Sequence, residues 1–188
     1  MAKFVSAEVS IRPIRTEDAD ELFEAVRESV DDLSPWMPWC HSEYSISETR
    51  DWIGTSIAAF ESRAEFNFAI IDGCGQLVGV CGLNGISREN QLANLGYWVR
   101  SSRSRRGIAT RATQLLADWA FENTDLNRLE ILIAIRNHPS LRVAAKAGAV
   151  WEGVLRARLR HRGEMHDAVL FSILRPLSQR ESVPRRGG

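Results

Sequence analysis

The sequence predicts one α/β (α+β) domain: a mixed, mostly antiparallel sheet of six to seven strands with helices on both faces. Three observations carry this. Strand-like runs follow one another at 66–72, 77–83 and 92–99 as a meander. An amphipathic helix at 110–123 comes next, with Ile108, Ala112, Leu115, Leu116 and Trp119 on one side. The run 129–135 is then nearly unbroken in apolar residues, as suits a strand covered on both faces.

The remaining elements complete the order. Val9, Ile11 and Ile14 mark a first strand, and Thr16 reads as the N-cap of a helix with Glu17 and Asp18 in its first turn. Ala19, Leu22, Phe23, Val26 and Val30 keep helical spacing. After a loop carrying Ser34-Pro35-Trp36-Met37-Pro38-Trp39, Ser47 reads as the cap of a second helix that buries Trp52, Ile53, Ile57 and Phe60. The 66–72 strand alternates Phe66, Phe68 and Ile70 and ends in a Gly73-Cys74-Gly75 turn. A short helix at 139–147 closes on Gly148, and 150–155 with 168–174 form a terminal antiparallel pair. Strand, two helices, three strands, helix, strand, helix, two strands is not the regular alternation of a doubly wound nucleotide fold. Residues 8–175 are expected to be the domain, and 176–188, ending Pro184-Arg185-Arg186-Gly187-Gly188, a disordered tail.

Composition narrows the function. Lys+Arg and Asp+Glu are equal at 24 each, so no global charge draws the chain to nucleic acid or to a membrane. Locally the charge is uneven. Glu17, Asp18, Asp20, Glu21, Glu24, Glu28, Asp31 and Asp32 are early and acidic, while Arg100, Arg103, Arg105, Arg106 and Arg111 are central and basic. The acidic set reads equally as ligand-facing or as a solvated helix face. Cys40, Cys74 and Cys81 are odd in number and lack metal-ligand spacing, which implies a reduced, cytoplasmic setting and no metal. Met1-Ala2-Lys3-Phe4 opens no secretory segment, and no apolar run approaches the ~18 residues of a membrane span. A soluble protein is expected.

The segment Arg103-Ser104-Arg105-Arg106-Gly107-Ile108-Ala109-Thr110 joins a strand to the central helix. Free N–H groups of a first helical turn, the helix dipole and arginine charge together grip phosphate. A phosphorylated cofactor is the sharp reading. A solvated turn with an ordinary turn glycine is the plain one.

Three segments carry a family resemblance: Leu95-Gly96-Tyr97-Trp98-Val99, Arg106-Gly107-Ile108-Ala109-Thr110, and Asn137-His138-Pro139-Ser140 leading to Ala147-Gly148-Ala149. In that order and spacing the chain resembles the GCN5-related N-acetyltransferase (GNAT) superfamily over about residues 8–175. It looks most like the RimJ/RimL type that acetylates protein N-termini, and the Trp36–Trp39 loop adds to that likeness.

The resemblance implies acetyl-CoA as cofactor. Its pyrophosphate would meet the backbone from Ser104 through Arg105, Arg106, Gly107, Ile108 and Ala109 to Thr110, with Arg103, Arg105 or Arg106 near phosphate. The pantetheine arm would pair with the edge of Tyr97, Trp98 and Val99, and Asn137 would fix the arm or simply cap a helix. Ser140 stands where the pattern places a hydroxyl near the cofactor sulfur, a candidate general acid, or alternatively an ordinary helix-start serine. Asn94 takes a catalytic position where related chains carry Glu, Leu159 takes the other carboxylate position, and Ser104 replaces the Gln/Arg of the phosphate turn. Glu43, Glu65, His41, Glu164 and His166 are the substitute bases. An α-amine, with a pKa of ~7.8, needs far less help than a lysine at ~10.4. Trp36, Trp39 and His41 either border the acceptor cleft or fill the space between the first two helices.

The resemblance thus implies acetyl transfer to a primary amine, foremost the α-amine of a protein N-terminus, with a ribosomal protein as one such acceptor. A small amine (an antibiotic or aminoacyl metabolite) and a catalytically silent acyl-CoA-binding regulator are the alternatives. No nucleic-acid or membrane partner is expected, and the protein is taken as a monomer or homodimer.

Overall fold

Seven strands lie in the order β1-β2-β3-β4-β5-β7-β6 in the computed structural model, which describes residues 9–177. They are β1 (Ser10–Pro13), β2 (Phe66–Ile71), β3 (Leu77–Ser87), β4 (Leu92–Val99), β5 (Arg128–Ala134), β6 (Val150–His161) and β7 (Glu164–Leu174). Every neighbouring pair is antiparallel except β4 and β5. Those two run parallel and pair only through Leu92–Arg128, Ala93–Leu129 and Asn94–Glu130. Beyond that point they part.

Helices cover both faces, as the sequence predicts. On one side α1 (Ala19–Glu28) and α3 (Ile46–Glu61) bring Leu22 and Ile53 onto Ala69, Leu77 and Val80. On the other, α4 (Ile108–Asn123) and α5 (His138–Lys146) bring Leu116, Ala120 and Ala144 onto Phe68, Leu83, Leu95 and Ile131. Phe60, at the end of α3, joins Phe66, Phe68 and Trp119 with ring centroids 5.2, 5.6 and 6.0 Å away.

Several local expectations are corrected. Thr16 does not cap α1; a 3-10 turn, Thr16–Asp18, precedes it. The turn is organised by Asp18, which accepts from Arg15 N at 2.8 Å and from the Arg12 guanidinium at 2.8 and 2.6 Å. Burial alone would raise the Asp18 carboxyl, but Arg12 and the Arg15 N–H outweigh it and hold it below the usual range. The helix expected to run through Val30 breaks at Ser29, and α2 (Val30–Leu33) follows. The Ser29 hydroxyl returns to the Ala25 carbonyl at 2.7 Å, a local bond that competes with helix continuation.

The cap of α3 is Ser45, not Ser47. Ser45 Oγ accepts from Glu48 N while the Glu48 carboxylate accepts from Ser45 N at 2.9 Å, a reciprocal capping box. The last hairpin is longer than expected. Its ladder resumes at Leu159–His166 after a bulge in which Ala157 has a φ of 50° and donates its N–H to Asp167 at 2.8 Å.

No helix among the described residues is long and apolar enough to cross a membrane. The tail expectation lies, from residue 178 onward, outside the described residues.

Candidate active site

Where β4 leaves β5, Leu95 to Val99 keep their antiparallel partners on β3 and have no strand partner on the other side. Alternation sorts their side chains. Leu95, Tyr97 and Val99 pack toward α4, and Trp98 packs toward α1 and α3. Across the gap, α5 begins with Asn137 as N-cap, its Oδ1 accepting from Ser140 N at 3.2 Å. Tyr97 spans the opening: its hydroxyl donates to the Ser140 carbonyl at 3.0 Å and accepts from the Ser140 hydroxyl at 3.0 Å. Burial pushes the Tyr97 phenol up to about 12, the Ser140 bond offsetting part of the shift.

The segment from β4 to α4 is held from behind. Arg100 pairs with Glu28, Ser102 N donates to Glu28 at 2.7 Å, Ser101 N donates to Ser29 Oγ at 3.0 Å, and Ser101 Oγ donates to Asp32. The Arg100 bond holds the Glu28 carboxyl down at about 2. The acidic early helices therefore clamp the basic turn in place, a role that neither reading of their charge foresaw.

Arg103 is taken up too, bonding Asp72 at 3.2 Å and Gln76 at 2.6 Å. Arg105, Arg106 and Arg111 are exposed and make no ion pair among the described residues. Gly107, at φ 79°, is the N-cap of α4 and supplies no side-chain cap. Arg111 N is the first to bond back into the helix, so the N–H groups of Ile108, Ala109 and Thr110 stay open.

On the α1/α3 side of β4 lies a cleft of about 390 Å³. Trp39, Tyr44, Trp52 and Trp98 wall it, with Trp39 centred 5.8 Å from Tyr44 and 6.1 Å from Trp98. Gly96, paired with Gly82 of β3, leaves its floor open, while the Asn67 side chain lies over Gly82. Glu48, Glu65, Asn67 and Asn84 are its polar lining, and among the described residues no lysine or arginine lines it. Glu48 also accepts from His41 Nε2 at 2.9 Å; the Ser45 hydroxyl first, then His41, holds its carboxyl below the usual range. Gly96 thus sits on a strand edge facing the gap and under the cleft at once.

The match to the acetyltransferase (GNAT) domain covers residues 8–150. The chain belongs to the GNAT acetyltransferase family. The Bacillus subtilis protein YdaF is 29% identical over 178 residues, 91% of this chain and 93% of its own. The ribosomal-protein-serine acetyltransferase of Escherichia coli is 24% identical over 152 residues, 81% of this chain and 84% of its own. The solved structure of Mycobacterium smegmatis RimJ in complex with CoA-disulfide is 28% identical, with a TM-score of 0.79 over 88% of this chain and 81% of that one.

Set against a GNAT site, the expected residues fall into two groups. Tyr97, Trp98, Val99, Asn137 and Ser140 gather around the gap, and residues 104–110 form the open helix start. Trp39 walls the cleft and His41 reaches it through Glu48, while Trp36 is half-buried outside the lining. Asn94 is bonded through Nδ2 to Asn84 Oδ1 at 3.0 Å, on the cleft face. Of the substitute bases, Glu65 alone lines the cleft; Leu159 pairs with His166 out on the last hairpin. Tyr44, Trp52, Asn67 and Glu48 went unrecognised as cleft residues. Glycines inside two adjacent strands were the available signal, since such positions mark a close approach.

Proposed function

We propose that this GNAT enzyme transfers acetyl from acetyl-CoA to the α-amine of a protein N-terminus, with a ribosomal protein as the acceptor and the cytoplasm as its setting. The observation that supports the reading is the double position of Gly96, on the free edge of β4 and under the cleft, where a donor along the edge and an acceptor in the cleft would meet.

The residues present fit coenzyme A. The free edge of β4 from Leu95 to Val99 offers N–H and C=O groups at strand spacing to an arm that carries amides. Open N–H groups at Ile108, Ala109 and Thr110, with exposed Arg105 and Arg106, suit a pyrophosphate. Asn137 spends its Oδ1 on the cap and keeps its Nδ2 for the arm. When bound, the cofactor supplies an activated acetyl thioester.

This chain's residues then do three things. Backbone N–H groups of β4 orient and polarise the acyl oxygen. Ser140, whose hydroxyl donates to the Tyr97 phenol in the free protein, would turn that proton to the departing sulfur. The cleft, anionic at Glu48 and Glu65, draws in a cationic amine and holds it among aromatic walls. No carboxylate occupies the Asn94 or Leu159 positions, which favours an acceptor that is partly neutral at ordinary pH, an α-amine of pKa ~7.8 rather than a lysine. The ribosomal-protein-serine acetyltransferase of Escherichia coli supports the same acceptor class.

Thiol release from acetyl-CoA, measured against short peptides with varied first residues and a set of small amines, tests this. Turnover with peptide α-amines is expected. Preference for small amines would overturn the acceptor assignment, and coenzyme A binding without turnover on any acceptor would overturn the enzyme assignment.

A further inference from the structure

One transverse row of the sheet crosses the cleft floor. Asn67 of β2 lies opposite Gly82 of β3, and Gly82 lies opposite Gly96 of β4. All three residues line the cleft. A β-carbon built on Gly82 would stand 2.3 Å from Asn67 Oδ1, whereas one built on Gly96 meets nothing within 4 Å. The Asn67 side chain therefore lies flat across Gly82, in the space a β-carbon would take, and the open floor over Gly96 is next along the row.

The orientation of that amide is fixed. Nδ2 faces Ser56 Oγ at 3.2 Å and Glu65 Oε2 at 3.5 Å. An ionised carboxylate only accepts, so the NH₂ must be on that side and Oδ1 on the other. Oδ1 receives no hydrogen bond among the described residues, and it is an acceptor one strand step, ~4.8 Å, from Gly96.

We infer that Asn67 seats the acceptor amine over Gly96, accepting one of its N–H bonds through Oδ1, with Glu65 and Ser56 locking Asn67 in that pose. An amine that points one N–H at Oδ1 turns its lone pair away from Asn67, toward the free edge of β4 where the thioester lies in the proposed reaction. Asn67 is thus a substrate-positioning residue, and Gly82 is glycine because the side chain must cross it. The inference rests on the acetyl-transfer reading above.

The test uses the full chain, acetyl-CoA, and hexapeptides beginning with serine, alanine or methionine, with coenzyme A affinity followed by calorimetry. N67A is expected to lower kcat/KM for the peptide at least about tenfold, the scale of one hydrogen bond to an amine. Coenzyme A affinity should stay within about twofold, because the contacts proposed for the cofactor lie on β4 and the starts of α4 and α5, not on β2. G82A displaces the same side chain, so it should cost at least as much in the wild-type background, and on top of N67A most of that loss should vanish, leaving only what the 3.0 Å approach of the new β-carbon to Phe66 O causes. If G82A fails to fold, N67A alone decides. Wild-type kcat/KM in N67A, or a G82A loss that persists in full on N67A, overturns the inference. A wild-type enzyme inactive on every peptide overturns the acetyl-transfer reading and this inference with it; an active wild type matched by N67A overturns the inference alone.

Discussion

Tyr97 and Ser140 hold each other twice across the gap that opens between β4 and β5, phenol to carbonyl at 3.0 Å and serine hydroxyl to phenol at 3.0 Å. Among the described residues, no other hydrogen bond joins β4 to the start of α5. The pair therefore sets the width of the gap and also presents two hydroxyls to whatever enters it.

Ser140→Ala should lower kcat by ~10²-fold, the contribution typical of a placed proton donor, with coenzyme A affinity nearly unchanged. Wild-type turnover would remove Ser140 from the reaction. Because burial raises the Tyr97 phenol to about 12, the folded state keeps a proton that the unfolded chain releases near 10. This contribution to stability is complete below pH 10 and declines between 10 and 12, and the absence of that alkaline decline in Tyr97→Phe is the check.

Gly107 holds a φ of 79° at the mouth of α4. Gly107→Ala should cost ~1–2 kcal/mol of stability, the penalty of the left-handed region for a residue with a β-carbon. Gly107→Glu adds charge and bulk beside the open N–H groups and should abolish coenzyme A binding. Calorimetry on the two variants separates the backbone effect from the phosphate effect.

The capping box separates two serines two residues apart. Ser45→Ala should destabilise the protein by ~1 kcal/mol in urea titration. Ser47→Ala, exposed inside α3, should stay within ~0.5 kcal/mol. The opposite order would refute the cap.

Glu28 ties α1 to the segment leading into α4. Its carboxyl lies at about 2, below its ordinary 4.5, so the unfolded chain takes up the proton first. The stabilisation is complete above pH 4.5 and is lost as pH falls toward 2. Glu28→Gln should flatten the acid limb of stability over that window and weaken coenzyme A binding at neutral pH, since Arg100 and Ser102 both lose an anionic partner.

The order of elements and the central helix were legible because hydrophobic spacing is local. So was the capping box of α3: Ser45 and Glu48 stand at its characteristic separation, whereas Ser47 is followed three residues later by Arg50, which cannot reciprocate. The far half of the last hairpin was not, because Arg156, Arg158 and Arg160 give it the look of a solvated loop. The cleft was hidden for a different reason. Asn67, Gly82 and Gly96 become neighbours through strand register, which no single segment encodes. The pairing of Arg103 with Asp72 is likewise a long-range choice.

The three-residue parallel pairing of β4 with β5 leaves the sheet with a seam inside the molecule. A ligand bridging the seam would act as an eighth strand, and binding at 100 times Kd would add ~2.7 kcal/mol to the folded state. Amide hydrogens of Leu95 to Val99 that point into the seam should exchange rapidly in the free protein and slow down when coenzyme A is added. Cellular cofactor supply would then govern how long this chain survives as well as how fast it works.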